Sequence, residues 1–333
     1  MLRFSGSRNL PFSFEISPGV RNKMLLHSDL YEECLDYLEG HFPRSLPIYH
    51  LMYGITHQRL AWPYVNFVVD RWPNPEVVLC RPTQVHAPEP GELDTSVRQI
   101  CYTVSLWSIN AEELEKILKD PTVLNWDREI MFHGVACPSD RDVVEKVCNL
   151  SGRHYLTESS DCCEVSMMTP KTLREIPLII PPGFRVGSLR PCHAAQVNEE
   201  WSYGGNDSTM KYLEVALDIF PSAAVFDTSD RPVSYMIYEP EGCMAMGYTN
   251  PAFRKRGFFS VVNYLLARHL FRIGLKQVYV QVIHTNHASK NAYLKLGAEV
   301  VPGWRQHWIL YRPSHMSQDS PGAVCLPDMR SDE

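Results

Sequence analysis

A run of basic residues followed by a glycine is the feature of this sequence that most clearly suggests chemistry. The run is Arg-Lys-Arg-Gly at residues 254–257, between an apolar segment at 243–248 and a stretch of helical periodicity that starts near Phe258. A turn between a strand and a helix directs free backbone N–H groups and the positive end of the helix dipole at one point. The glycine lets the backbone approach a ligand closely, and the basic side chains add positive charge. The stretch therefore predicts an anion site that suits a diphosphate, although exposed surface charge would give the same local pattern.

A second segment, further along the chain, supports the anion site. Residues 277–283 are rich in β-branched side chains and predict a strand, and residues 288–297 predict a short helix that ends at a glycine. The two segments give the spacing Pro251-x-x-Arg254-x-x-Gly257 followed by Asn286-x-x-Ser289-x-x-x-Tyr293-x-x-x-Gly297. This combination resembles the acyl-CoA-binding half of the GCN5-related N-acetyltransferase (GNAT) fold.

Other motifs extend the resemblance from about Leu46 to Arg312. They are Val68-Val69-Asp70-x-Trp72-Pro73, His193-Ala194-Ala195-x-Val197-Asn198 with Trp201, Gly204-Gly205-Asn206, and Phe220-Pro221-Ser222. With these motifs the sequence resembles the glycine N-acyltransferase family and its glycine N-acyltransferase-like members. The resemblance implies that acyl-CoA is the co-substrate and that the acyl group passes directly from the thioester to the amine of glycine or another small amino acid.

The resemblance also implies which residues hold the co-substrate. Backbone groups at 247–249 are expected to hydrogen-bond the pantetheine arm of CoA. The side chain of Asn286 is expected to bond the same arm, although an asparagine before a helix is also a common N-cap. The predicted cofactor-binding residues are Gly247, Tyr248, Thr249, Arg254, Lys255, Arg256, Gly257, Phe258, Phe259 and Asn286.

Acyl transfer to an amine also needs a base near the amine and an acid near the CoA sulfur. Tyr293 is placed like the tyrosine that reaches the CoA sulfur in many relatives, and a core tyrosine is the alternative. The family is expected to carry an acidic residue on the strand before the cofactor turn, but Cys243 stands there. Glu241 is close but in a predicted loop, so His284 is preferred as the base, because histidine is the residue type suited to proton transfer near neutral pH. The predicted catalytic residues are therefore His284 and Tyr293, with a surface histidine as the alternative at position 284.

The composition excludes several other classes of protein. The chain has 333 residues and a net charge of -6, so it lacks the basic surplus of a general nucleic-acid binder. Its 10 cysteines include no Cys-x-x-Cys pair, which predicts reduced thiols in an intracellular compartment and no bound metal. No apolar run reaches the length needed to cross a bilayer.

A proline-rich connector at residues 169–182 divides the sequence into two predicted domains, with the boundary near residue 175. We expect a flexible N-terminal tail at 1–24, a degenerate GNAT-like domain at 25–175, an acyl-CoA-binding GNAT domain at 176–313 and a disordered C-terminal tail at 314–333. The first domain contains no Arg-x-x-Gly turn, so we expect it not to bind CoA. Its predicted strands include residues 65–69, 76–80, 99–104 and 129–135.

The first 23 residues have a weak form of the composition of a mitochondrial transit segment. They carry Arg3, Arg8, Arg21 and Lys23 against the single acid Glu15. A mitochondrial location is therefore expected. An untargeted tail and a cytoplasmic location are the alternative.

Together these features predict a mixed α/β protein with tandem GNAT-like domains, in which central sheets are flanked by helices. The predicted activity is acyl-CoA-dependent N-acyltransfer. One rival is a non-catalytic acyl-CoA-binding protein, which the missing acid at Cys243 favours. The other is an N-acetyltransferase that acts on protein or peptide amines.

Overall fold

The computed structural model describes residues 24–57, 60, 62, 65–83, 103–150, 154–156, 163–202 and 204–313. Residues 1–23 of the tail predicted at 1–24, the tail predicted at 314–333 and the first part of the strand predicted at 99–104 lie outside these residues. Met24, the last residue of the first predicted tail, lies in the short strand Met24–Leu25. The α-helices are α1 Tyr31–Glu39, α2 Leu46–Thr56, α3 Ala111–Lys119, α4 Ser139–Leu150, α5 Ala194–Glu200, α6 Asp207–Ile219, α7 Phe258–Arg272 and α8 His287–Lys295. Short 3-10 helices at Ser28–Leu30, Pro191–His193 and Pro251–Phe253 precede α1, α5 and α7.

The β-strands form two sheets. They are β1 Met24–Leu25, β2 Val65–Val69, β3 Val77–Pro82, β4 Thr103–Ser108, β5 Ile130–Cys137, β6 His154–Leu156, β7 Cys163–Met168, β8 Arg185–Gly187, β9 Ser222–Phe226, β10 Pro232–Tyr238, β11 Met244–Thr249, β12 Val278–Ile283 and β13 Glu299–Arg312. The predicted strands at 65–69, 76–80 and 129–135 correspond to β2, β3 and β5.

The larger sheet has nine strands, in the order β1-β2-β3-β4-β5-β13-β7-β12, with β6 beside β13. β4 and β5 are parallel, whereas the other neighbours are antiparallel. The last strand of the chain, β13, lies between β5 and β7, and β7 pairs with β12. This sheet joins strands from both sides of residue 175, and the division into two domains stays a prediction.

The smaller sheet is antiparallel, in the order β11-β10-β9-β8. Every residue of β9 and β10 is buried, because helices cover both faces of this sheet. α7 packs on one face through Val262 and Leu266, and α5 and α6 pack on the other through Val197 and Leu213. Burial of such apolar side chains is the main favourable term in folding.

Helices also cover both faces of the larger sheet. Leu114 of α3 and Val144 of α4 share a buried cluster with Phe132 of β5. Leu35 of α1 and Met52 of α2 pack on the opposite face. The predicted mixed α/β fold, with central sheets flanked by helices, is therefore confirmed.

In the part of the chain that the structure describes, no helix combines the length and the apolar character needed to span a bilayer.

Candidate functional site

Two strands that end their sheets meet at a single bridge, and the space between their unpaired edges is called the cleft below. β11 is the last strand of the smaller sheet, and β12 is the last strand of the larger one. One parallel bridge joins Cys243 to Tyr279, and the described residues contain no other pairing between the two strands. Beyond this bridge, β11 and β12 each have an edge of backbone N–H and C=O groups without a strand partner. A peptide-like chain can add to such an edge.

A β-bulge in β11 alters the backbone on one side of this cleft. Tyr235 of β10 pairs with Tyr248, whereas Ile237 pairs with Ala245, so two residues of β11 lie opposite one residue of β10. Met246, inside the bulge, has a φ of 55°. Because a bulge takes backbone groups out of the ladder, N–H groups at this point are available to a ligand.

The turn at residues 250–257 leads to a helix N-terminus that has no side-chain cap. Asn250 caps the 3-10 helix Pro251–Phe253 by accepting a hydrogen bond from Ala252 N at 3.0 Å. Gly257, the N-cap residue of α7, has a φ of 81° and makes no side-chain capping bond. A Cβ built on Gly257 would meet nothing within 4 Å, so this side of the turn is open. Since the first N–H groups of an α-helix have no partner within it, those of α7 are free to bind an anion.

The three basic side chains of the turn are exposed. Arg254 Nε donates to the carbonyl oxygen of Thr249 at 3.2 Å, which holds this guanidinium beside the end of β11. The guanidinium carbon of Arg256 lies 5.4 Å from the ring centroid of Phe253. Lys255 has a φ of 63°. These contacts keep positive charge next to the N-terminus of α7, where it adds to the helix dipole.

Gly247, Phe259 and Tyr293 come together between β11, α7 and α8. A Cβ built on Gly247 would lie 2.4 Å from Met236 Cε and 3.0 Å from Phe259 Cε2, so this close approach depends on glycine. The rings of Phe259 and Tyr293 are 5.7 Å apart. Burial raises the pKa of Tyr293 above its ordinary value, so its hydroxyl stays protonated at neutral pH.

Three other predicted site residues have defined local positions. Phe258 is buried beside Phe184, with ring centroids 5.0 Å apart, so its side chain belongs to the core and its backbone is what a ligand can reach. Asn286 is the N-cap of α8 and accepts a hydrogen bond from Ser289 N at 3.0 Å, which confirms the capping alternative. The amide NH2 of Asn286 stays a candidate donor to the pantetheine arm. His284 is exposed just beyond the end of β12.

Cys243, at the bridge between the two strands, is buried, with 1% of its surface exposed. Burial raises the pKa of its thiol well above the ordinary value, and the nearby Glu239 carboxylate adds to this shift. A thiol that stays protonated is a poor nucleophile. The position where the family is expected to carry an acid therefore holds an inert side chain.

A buried group of one histidine and two glutamates lies beside this bridge. His133 comes from β5, and Glu239 and Glu241 come from the loop between β10 and β11. A ring nitrogen of His133 and one carboxylate oxygen of each glutamate all lie within 4.8 Å of one another. His133 Nδ1 is 3.3 Å from Glu241 Oε1, and Ser105 Oγ of β4 donates to the same oxygen at 3.3 Å. His133 and Glu239 were not predicted as site residues, because only the tertiary fold brings β5 against this loop.

The three groups perturb one another's protonation. Burial raises the pKa of Glu239 to about 7. Burial opposes ionisation of Glu241 as well, but the charge of His133 overcomes it and lowers the pKa of Glu241. Burial also opposes a charged His133, yet the Glu241 carboxylate raises the pKa of this imidazole. The group can therefore exchange a proton near neutral pH.

Two family models together match most of the chain. The family model for the aralkyl acyl-CoA:amino acid N-acyltransferases matches residues 27–221, and the model for their C-terminal region matches residues 223–312. The chain is 25% identical over 292 residues to a glycine N-acyltransferase of Bos taurus, covering 82% of this chain and 96% of that protein. It is 25% identical over 294 residues to a glycine N-phenylacetyltransferase of Bos taurus, covering 82% of this chain and 96% of that protein.

A solved structure shares the fold. The X-ray structure of a Drosophila protein superposes with a TM-score of 0.70 and 16% sequence identity, covering 87% of this chain and 98% of that chain. The predicted family resemblance is confirmed by the two family models, which together span both sheets. The chain belongs to the aralkyl acyl-CoA:amino acid N-acyltransferase family.

Proposed function

We propose that this protein is an enzyme that transfers an acyl group from acyl-CoA to the amine of glycine or another small amino acid. The observation that carries the proposal is the cleft between β11 and β12, because its β11 wall leads directly into the open, basic turn at Gly257. Family membership supports the same reaction class. We propose acyl-CoA as the co-substrate and no metal cofactor.

The proposed position of acyl-CoA follows from the groups along this wall. The pantetheine arm has amides that can pair with the free edge of β11 at Gly247, Tyr248 and Thr249, as an added strand would. The diphosphate then lies at the N-terminus of α7, where free N–H groups of residues 257–259 and the basic side chains of 254–256 meet. The side-chain amide of Asn286, on the other side of the cleft, is proposed to hydrogen-bond the pantetheine arm.

The corresponding strand, turn and helix in the first half of the chain support a single CoA site. There β4 leads through Asn110 into α3, and Asn110 Oδ1 accepts hydrogen bonds from the backbone N–H groups of Glu112 and Glu113. The cap uses the groups that would bind an anion, and both residues bring negative charge to the first turn of the helix. This helix N-terminus is therefore unsuited to a diphosphate.

The proposed chemistry is direct attack of the amine on the thioester. The ammonium group of the acceptor gives one proton to a base, its nitrogen attacks the thioester carbonyl carbon, and the C–S bond breaks as the amide forms. The nitrogen gives up a second proton, and the departing CoA sulfur takes one proton, so one proton is released overall. Tyr293 is proposed to protonate the sulfur, and His284 is the base proposed from the sequence. Cys243 takes no covalent part.

A substrate screen tests this function. Purified protein is incubated with short, aromatic and long acyl-CoAs and with free amino acids, and release of the CoA thiol is followed over time. The proposal predicts multiple turnovers with at least one small amino acid and formation of the N-acyl product. Stoichiometric binding without turnover would instead support the non-catalytic rival, and acylation of peptide amines alone would support the protein acetyltransferase rival.

A mitochondrial location is proposed from the basic, acid-poor composition of residues 1–23. Fusion of this segment to a fluorescent protein tests the proposal. Import into mitochondria supports it, and a diffuse cytoplasmic signal contradicts it.

A further inference from the structure

We propose that His133, held by Glu241, is the group that takes the proton from the acceptor amine, and that it does so in place of the acid missing at Cys243. This inference rests on the proposed acyltransferase function and specifies one of its residues. In this proposal His133 is the catalytic base and Glu241 is its positioning residue. Glu239 is a second carboxylate that favours the protonated imidazole. His284, proposed from the sequence, is the competing base.

The arrangement of His133 fits a base rather than a plain structural ion pair. Its Nδ1 is buried and makes no hydrogen bond within the described residues, but it lies at ion-pair distance, 3.3 Å, from Glu241 Oε1. A proton placed on Nδ1 beside this carboxylate leaves the lone pair of Nε2 for a substrate. The carboxylate is fixed in turn by Ser105 Oγ of the neighbouring strand. The His133 side chain keeps 13% of its surface exposed, whereas the Glu241 side chain keeps 8%. The imidazole is therefore the member of this pair that is more open to a substrate.

The site also contains polar groups whose hydrogen-bonding capacity is not used. Glu239 is buried, with 8% of its surface exposed, and makes no side-chain hydrogen bond to any other described residue. The side-chain oxygen of Gln281 is buried, and the described part of the chain offers it no partner. The Gln281 oxygen is a buried acceptor without a donor, which is costly, and a ligand with N–H groups would relieve that cost. Both acceptors suit an amine or an ammonium group.

The loop that carries Glu241 is joined to the bridge at the cleft, because the hydroxyl of Tyr279 donates to the backbone carbonyl oxygen of Glu241 at 2.9 Å. The His133 ring centroid lies 5.5 Å from that of Trp308 in β13. A Cβ on the next residue, Gly134, would lie 3.6 Å from Gln306 Nε2. Gln306 accepts a hydrogen bond from Gln281 of β12, which is one wall of the cleft. Because alternate residues of a strand share a face, Gln281 lies on the same face of the sheet as Tyr279 at the bridge.

The bridge links this face to the expected thioester position. Cys243 packs with Tyr279 and Trp304 in one buried cluster on the face opposite α7. Its thiol is close enough to Glu239 for the carboxylate to raise its pKa, after the larger effect of burial. It also contributes, after burial, to the raised pKa of Tyr293. Cys243 is therefore near both the Glu239 carboxylate and Tyr293, the proposed acid of the cleft.

The charged groups on the elements packed around His133 determine whether its pKa is raised or lowered. The loop between β10 and β11 brings Glu239 and Glu241, β4 brings Ser105, β3 brings the buried thiol of Cys80, and α2 brings His50. Burial lowers the pKa of His50 to about 3, so this ring is neutral at physiological pH. The charges that raise the pKa of His133 are the two carboxylates, Glu241 before Glu239. Removal of either carboxylate should lower that pKa.

The test is the pH dependence of kcat/KM for the acceptor in wild type, His133→Gln and Glu241→Gln. Because a base works only when deprotonated, wild-type activity should fall as pH drops through the raised pKa of His133. In Glu241→Gln this decline should move to lower pH. His133→Gln should lose about 10²–10⁴-fold in kcat, and its remaining activity should rise with the fraction of free amine. A calorimetric titration with CoA checks that each variant keeps its fold and its cofactor site.

His50→Gln is the matched control. His50 packs against Gly242 in the same loop, and its Nδ1 lies 3.2 Å from the hydroxyl of Tyr238, so the variant disturbs the same contact between elements without removing a titrating group. The pH profile should keep its wild-type position even if this variant is less stable.

Three results would overturn the inference. The first is a decline of kcat/KM at low pH that is unchanged in His133→Gln, above all if His284→Gln removes that decline. The second is that His133→Gln loses both CoA binding and activity while Glu241→Gln keeps full activity. That result would show that His133 has a structural role. Inactivation by a chelator and recovery with a divalent cation would show that the group serves a metal ion. Absence of turnover in the wild type, by contrast, would refute the proposed function itself.

Discussion

Replacing Gly257 with valine should abolish tight CoA binding while leaving the fold in place. Gly257 has a φ of 81° at the N-terminus of α7, and a Cβ there would meet no protein atom within 4 Å. The cost to folding is therefore the left-handed backbone, roughly 1–2 kcal/mol for an L-residue. That is small beside the stability of about 5–15 kcal/mol of a typical native protein.

The cost to binding should be much larger. The branched side chain would occupy the open space that the diphosphate needs, and the phosphate oxygens would lose their hydrogen bonds to the first N–H groups of α7. Each such charge-assisted bond contributes about 1.5–3 kcal/mol, so losing two weakens binding by roughly 10²–10⁴-fold.

Gly274 supplies a matched control at the other end of the same helix. It has a φ of 106°, and its added Cβ would make an ordinary contact, 3.6 Å from Tyr53 Oη. The 15 residues of α7 separate the two glycines by about 22 Å. Calorimetric titration with CoA and urea unfolding should show similar losses of stability in Gly257→Val and Gly274→Val but loss of binding in the first alone. Wild-type CoA affinity in a folded Gly257→Val protein would refute the assignment of the turn.

Two further substitutions test separate parts of the account. Cys243→Ala should keep most of the activity, because burial holds the thiol protonated. Intact-mass analysis of the quenched wild-type reaction should show no acyl adduct on the protein. An inactive Cys243→Ala variant that still binds CoA would contradict direct attack. Asn286→Ala should cost about 1 kcal/mol of stability through loss of the N-cap and should also raise KM for acyl-CoA. Asn110→Ala, which removes the cap of α3, should cost a similar amount without changing KM; equal KM values in both variants would limit Asn286 to its capping role.

The half of the fold proposed to bind CoA was predictable because its signals are local. β11, the basic turn, α7, β12 and α8 follow one another along the chain, and each has its own periodicity, glycine or cap. The same holds for α3, where Asn110 directly before the helix caps its first N–H groups. Elements whose sequence determinants lie within a few residues can be recognised without a structure.

Other elements were not predicted because tertiary contacts determine them. α2 is buried on most of its surface, so its apolar residues give no amphipathic stripe. β13 contains Pro302 and Gly303, which ordinarily interrupt a strand, and its pairing with β7 shifts register in that region. β7 was also missed: it is short, and its polar residues Glu164 and Ser166 weaken the apolar signal of a buried strand.

The histidine–glutamate group could not be predicted for a similar reason. His133 alone in an apolar strand is an ordinary core histidine, and Glu241 alone in a loop is an ordinary surface acid. Their chemistry arises when the loop between β10 and β11 packs against β5, because burial and proximity then shift the pKa of each group. The only local signal was two acids, Glu239 and Glu241, in a loop between two apolar strands.

A crystal structure with CoA or an unreactive acyl-CoA analogue would show directly where the co-substrate binds. We expect one molecule per chain, with the pantetheine arm beside β11, the diphosphate at the N-terminus of α7 near Gly257, and the sulfur near Tyr293. CoA bound elsewhere, a second molecule at the N-terminus of α3, or no binding at saturating concentration would contradict it.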